Sequence, residues 1–144
     1  MPCTQSVLVQ ESGPIDGLTL LYDDFSVPEG GRLDVTLDWT NASSPIGFYL
    51  VPANTCGDVD AFNARNCNFL ITSETTTKPR KVSRADFAAG NYRWLIGNFS
   101  DNEESVSLQI VLSKGSCAAF TDVPAGSARV PKSWPALEAS RPSH

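Results

Sequence analysis

The sequence contains one histidine, His144, as its last residue, and one methionine, Met1. Nucleophilic catalysis of the Ser-His or Cys-His type needs an imidazole held beside the nucleophile, and a lone terminal histidine supplies none. The four cysteines include no C-x-x-C pair, so the usual zinc-ligand spacings are missing as well. Cations are scarce: 11 Lys and Arg stand against 16 Asp and Glu, a net charge of −5. Phosphate recognition runs on clustered Lys and Arg, so nucleic acid is not an expected partner. The densest basic run, Lys78-Pro79-Arg80-Lys81 with Arg84, reads as a solvated loop. No stretch approaches the roughly 20 consecutive apolar residues that a membrane-spanning helix requires, so no span is expected. No long segment has helical periodicity either.

Alternation with a period of two is what the sequence does contain. In Phe25 to Trp39, FSVPEGGRLDVTLDW, Pro28, Gly30 and Gly31 mark a tight reversal. Leu33, Val35, Leu37 and Trp39 then fall on one face of a strand, and Arg32, Asp34, Thr36 and Asp38 on the other. The same logic predicts strands at Ser6 to Gln10, Gly17 to Val27, Ile46 to Val51, Cys67 to Thr72, Tyr92 to Phe99 and Val106 to Leu112. Between Leu20, Tyr22 and Phe25, Val27 the apolar parity changes, which predicts a bulge near Asp23-Asp24. Helical turns are expected over Val59 to Ala64 and, capped by Ser83, over Ser83 to Phe87. Phe69 and Ile71 should both face inward. Seven or eight short strands with turns between them make an all-β antiparallel sandwich of jelly-roll or immunoglobulin-like type.

Four cysteines allow three pairings. Cys56 and Cys67 flank an Asn/Asp-rich loop while Cys3 and Cys117 bracket the strand region, and those two pairs are the expected disulfides. Loop entropy assigns the short bridge about 3 kcal/mol and the long one about 5 kcal/mol. Two disulfides imply an oxidising compartment, so the expected location is secreted or cell-surface. Beyond Cys117 the alternation stops and Pro124, Pro131, Pro135 and Pro142 appear among Ala, Ser and Gly. The expected organisation is thus a sandwich over 1–117 and a Pro-rich extended tail over 118–144, docking as an arm on another subunit and mediating self-association.

Four segments, FSVPEGGRLDVTLDW, PIGFYLV, ADFAAGNYRWLIGNFS and VSLQIVLS, together resemble the bacterial pre-peptidase C-terminal domain family across about Leu18 to Ser113. The aromatic-x-hydrophobic-Pro-x-Gly turn corresponds to Phe25 to Gly30, the Gly-x-Tyr strand start to Gly90 to Tyr92, and the Asn-aromatic pair to Asn98-Phe99. The resemblance implies a secreted β-sandwich of the kind appended to extracellular hydrolases. At Ser43 to Phe48 the chain lacks the alternating Asp and Leu common in that family.

Carboxylates are the remaining groups for chemistry. Adjacent acids on a strand point to opposite faces, so Asp23-Asp24 makes no acid-base pair, and no enzymatic activity is expected. Asp58, Asp60, Asp101 and Glu103 are candidate calcium ligands in acidic turns, calcium being the one cofactor these hard oxygens would suit. Tyr49, Trp134 and Tyr22 are candidate stacking residues for a sugar ring, whereas Trp39 and Trp94 belong to the core. The function expected is that of a secreted, non-catalytic module for adhesion, targeting or extracellular assembly, with a protein or cell-surface glycan as partner. The alternative is a carbohydrate-binding module of an extracellular hydrolase. Asn41-Ala42-Ser43 and Asn98-Phe99-Ser100 also match the glycosylation pattern.

Overall fold

Leu33, Val35, Leu37 and Trp39 are all buried, and the strand they define, β3 (Gly31–Trp39), lies inside a four-stranded sheet. The computed structural model describes residues 2–74, 78–117 and 131–138. In chain order its elements are β1 (Thr4–Ile15), β2 (Thr19–Val27), β3, β4 (Ile46–Pro52), α1 (Val59–Asn63), β5 (Ile71–Ser73), β6 (Arg80–Phe87), β7 (Gly90–Asn98), β8 (Glu104–Lys114) and β9 (Lys132–Pro135). One sheet has the order β1-β8-β3-β6 and the other β5-β4-β7-β2-β9, with every pairing antiparallel. The protein is a β-sandwich.

Two apolar clusters hold it together. Between the sheets, Leu33, Val35 and Leu37 of β3 and Leu108 and Ile110 of β8 meet Phe48 and Leu50 of β4 and Trp94 and Ile96 of β7. The second cluster lies on the outer face of the five-stranded sheet, where Leu20, Tyr49, Val51 and Leu95 are covered by Phe62 of α1, Cys56 and Leu137. Burial on both faces explains the apparent change of parity in β2. Leu21, Phe25 and Val27 face the inter-sheet core while Leu20 and Tyr22 face the outer cluster. The β2–β7 register runs unbroken from Thr19 to Val27, so the expected bulge at Asp23-Asp24 is absent.

Both cysteine pairs bridge: Cys3 to Cys117 and Cys56 to Cys67, each with 4.9 Å between Cα atoms. The first ties the start of β1 to the end of β8, and the second closes the loop that carries α1 over the sheet.

Three local expectations are corrected. Ser83 to Phe87 is not helical but the end of β6, which pairs with β3, and the Ser83 hydroxyl donates to Asp34 at 2.8 Å instead of capping a helix. A cap is worth about 1 kcal/mol, less than a run of ladder bonds with Val82 and Phe87 packed on the core. Phe69 packs outward with Tyr49 and Phe62, and of the expected pair only Ile71 enters the inter-sheet core. The basic run is no solvated loop: Lys78 pairs with Asp38 at 2.7 Å, and Arg80 lies buried over the Trp39 ring, donating to the Ile46 carbonyl and, at 2.9 Å, to that of Ser73. Burial lowers its pKa.

The described part of the tail, expected to be an extended arm, packs on its own chain as a strand. β9 pairs with β2 from Thr19↔Pro135 to Tyr22↔Lys132. Beyond it Leu137 is 3 % exposed, its amide bonded to the Leu18 carbonyl at 3.1 Å. Glycine at position 97 makes room for it, since a Cβ there would lie 3.3 Å from the Leu137 side chain and 3.0 Å from the Phe99 ring. Asn63 of α1 clasps the segment, donating to the Ala136 carbonyl at 3.0 Å and accepting from the Glu138 amide at 3.2 Å.

Trp39 and Trp94 are 3 % and 0 % exposed, and truncating either to Ala should cost about 3–5 kcal/mol in denaturant melts. A chain ending at Cys117 loses β9 and Leu137, so calorimetry should show a lower thermal midpoint than for the full chain. An unchanged midpoint would mean that the segment adds nothing to the fold.

Candidate ligand-binding face

Position 93 of β7 shares its sheet face with Leu95, and Leu95 is in the outer cluster. Arg93 therefore lies on the outer surface beside Tyr22 and Asp24, which alternate with the inward Leu21, Asp23 and Phe25 of β2. Its Nε donates to Asp24 Oδ1 at 2.6 Å and its Nη2 to Oδ2 at 3.2 Å, while Nη1 reaches the Cys56 carbonyl at 2.8 Å. The bond to Asp24 holds the guanidinium more firmly protonated, outweighing burial. The guanidinium carbon lies 5.1 Å from the Tyr22 ring centre and 5.8 Å from that of Trp134, and the two rings stack at 3.8 Å. Both rings are only partly buried. Trp134 comes from β9 and Tyr22 from β2, so the ring pair exists only while the C-terminal strand is docked.

The row continues along the same face. Ser26 donates to Asn91 Oδ1 at 2.7 Å, two pairs beyond Asp24 and Arg93 in the register. Next to Asn91 an open cavity of about 470 Å³ is lined by Ala53, Asn54 and Asn91, with Ala53 held to the Asn91 carbonyl at 3.1 Å. The cavity and the ring pair thus lie on one outer face of β2 and β7, beside the loop that the Cys56–Cys67 disulfide closes. That face offers two amides, a hydroxyl, a neutralised ion pair and two aromatic rings.

The other candidate residues lie apart from it. Tyr49, expected to stack on a ligand, is 0 % exposed, edge-on to Phe62 at 4.8 Å and donating to Glu74 at 2.5 Å, so it is a core residue. Asp58 accepts from the Ala61 amide at 2.8 Å as the N-cap of α1, and Asp60 is exposed in its first turn. Asp101 and Glu103 are exposed in the turn before β8. Among the described residues no three His, Cys, Asp or Glu side chains gather as a metal-binding group. Asn98 is 0 % exposed and wholly engaged, donating to the carbonyls of Ile15, Asp16 and Asn102 and accepting from Ser100, so in the fold it is a loop tie. Asn41 is exposed, its side-chain Oδ1 accepting from the Ser43 amide and hydroxyl.

Sequence reading missed Arg93, Asp24 and Asn91 as site residues because strand alternation marks faces and not which strands become neighbours. Glu104 follows Asp101 and Glu103 at the start of β8. This carboxylate is 4 % exposed and accepts from Thr40 Oγ1 at 2.6 Å, the Asn41 amide at 2.8 Å and Ser44 Oγ at 2.7 Å. Burial pushes its pKa up, but the bonds from Thr40, Ser44 and Asn41 outweigh that, and the net shift is downward. These three accepted bonds fix the β3–β4 turn.

No protein-family model matches the sequence, and no curated protein does. Among solved structures, the chain is similar to the Yersinia pseudotuberculosis-derived mitogen at 16% identity and TM-score 0.54, over 85% of this chain and 97% of that one. It is also similar to the pre-peptidase C-terminal domain of a Bacillus anthracis collagenase at 10% identity and TM-score 0.55, over 72% of this chain and 89% of that domain. Both likenesses are of fold, and the second agrees at that level with the family resemblance in the sequence.

Because the folded-state pKa of Glu104 lies below the ordinary 4.5, its stabilising effect is complete above that value and is lost as pH falls through the folded pKa. Replacing Glu104 by Gln should therefore destabilise the protein at neutral pH, and the gap to wild type in urea midpoints should close in acid. A gap independent of pH would show that the ionised form is not what the turn requires.

Proposed function

We propose that this chain is a non-catalytic binding module that works in an oxidising, extracytoplasmic setting at a bacterial surface, in adhesion, targeting or assembly. The observation that carries the proposal is the stacked Tyr22–Trp134 pair beside Arg93, half-exposed on a face beside a loop that a disulfide closes. Aromatic rings and arginine are the residues that most often dominate binding energy, and a rigid platform loses little conformational entropy when a ligand lands on it. The two disulfides support the compartment, and the β-sandwich fold supports a module that presents a face. The second reading, a carbohydrate-binding module of an extracellular hydrolase, is favoured by the same ring pair, since a flat aromatic surface fits a pyranose.

Immobilised full-length protein should bind saturably to a component of an array of bacterial surface polymers, matrix proteins and glycans. Trp134→Ala should weaken that binding by at least an order of magnitude, roughly as for an aromatic hot spot, while leaving near-ultraviolet dichroism of the core intact. Binding that persists at full strength in Trp134→Ala would overturn the proposed face.

A further inference from the structure

That face also specifies what kind of ligand it takes, an inference that rests on the binding-module reading and names the ligand of the same face. We infer that the ligand is an uncharged, polyhydroxylated chain, a neutral polysaccharide, lying along β2 and β7 from the Asn54–Asn91 cavity to the Tyr22–Trp134 rings.

Charge is the first discriminator. An anionic ligand needs a cation that is not already neutralised, and Asp24 and the Cys56 carbonyl engage three of the five N–H donors of Arg93. Asp24 holds Nε and Nη2, and the Cys56 carbonyl holds Nη1, so the pair presents no net charge. Lys132, opposite Tyr22 in the β9 register, is a single exposed lysine on a protein of net charge −5, which disfavours polyanions by long-range repulsion. A cationic ligand is no better served, because the Asp24 carboxylate is already neutralised.

The hydrogen-bonding groups are the second. An amide offers two donors and an acceptor in one plane, which suits neighbouring hydroxyls that each donate and accept. Asn54 and Asn91 bring two such amides to the cavity, Ser26 adds a hydroxyl bonded to Asn91, and Asp24, 46% exposed, retains a face toward solvent. At about 470 Å³ the cavity falls within the roughly 300–1,000 Å³ of small-ligand sites. Stacking is the third. Trp134, stacked on Tyr22 through one face and only partly buried, supplies the aromatic ring for the C–H-rich face of a sugar, two register steps along β2 from Asp24 to Tyr22 and on to β9. A protein partner would call for a larger apolar centre than two rings flanked by amides.

The test is calorimetric titration of the full chain with neutral hexasaccharides (cello-, xylo-, manno- and chito-) and with polygalacturonate and heparin. The expected result is binding of at least one neutral chain at roughly 10–100 µM, in the modest range for open faces. It should be unchanged between about 50 mM and about 500 mM salt, because no ion pair forms with the ligand. Trp134→Ala should weaken it by about thirtyfold, as for an aromatic hot spot. Asn91→Ala should weaken it by roughly tenfold, the loss of a good hydrogen-bonding group. Ser12→Ala, exposed on the opposite sheet, should bind as wild type. Binding confined to the polyanions and lost in salt would overturn the inference, as would neutral-sugar binding indifferent to both Trp134→Ala and Asn91→Ala. If no glycan binds while a matrix protein does so through Trp134, the glycan inference falls and the binding-module reading stands. If nothing binds through this face, both fall.

Discussion

A five-stranded sheet that must be buried on both faces is the constraint on which the rest of this molecule depends. Its inner face meets the four-stranded sheet through Trp94, Phe48 and Leu50, as in any sandwich. Its outer face carries Leu20, Tyr49, Val51 and Leu95, which would otherwise expose a large apolar patch to water. The chain covers them with two segments that lack a core of their own: the disulfide-closed loop bearing α1, and residues 131–138 at the far end of the sequence. Asn63 joins the two covers by hydrogen bonds to Ala136 and Glu138. The Cys56–Cys67 bridge fixes the first cover, reducing the entropy that a loop with one short helix would lose on docking.

The proposed site lies beside the two covers, on the outer face of β2 and β7. The side chains there are no longer aliphatic but Tyr22, Asp24, Ser26, Asn91 and Arg93. Arg93 touches both covers, bonding the Cys56 carbonyl on one side and lying over Trp134 on the other. The interactions that close the outer core thus also shape the floor of the proposed site, so folding and preorganisation of the face are one event. The opposite sheet uses its outer surface differently: Asp34 is buried there among Arg32, Ser83 and Ser113, a network that satisfies itself and offers a ligand nothing.

Strand identity and the inner face were legible from the residues because alternation is a local property and the inter-sheet core enforces it. Leu33 to Trp39 and Val106 to Leu112 read correctly for that reason. Where a strand is covered on both sides the same rule misleads, as at Leu20 to Val27, since apolar residues of both parities look like a phase change. Where local signals compete with strand pairing, pairing wins, as at Ser83 to Phe87, because the ladder satisfies more backbone groups than one cap.

By itself the sequence determined the sandwich class, the apolar stripe of each inner strand and the short helix in the Asn/Asp-rich loop, all of which follow from residue type and spacing along the chain. Only the tertiary structure decided which strands became neighbours, and hence that Asp24 would meet Arg93, that Tyr49 would be sealed under α1, and that Trp134 would stack on Tyr22. Those contacts join positions from 69 to 112 residues apart, or bring a helix down on a strand, and their geometry is fixed by sheet order and by what must cover an apolar face. Neither quantity is written in any local pattern of residues.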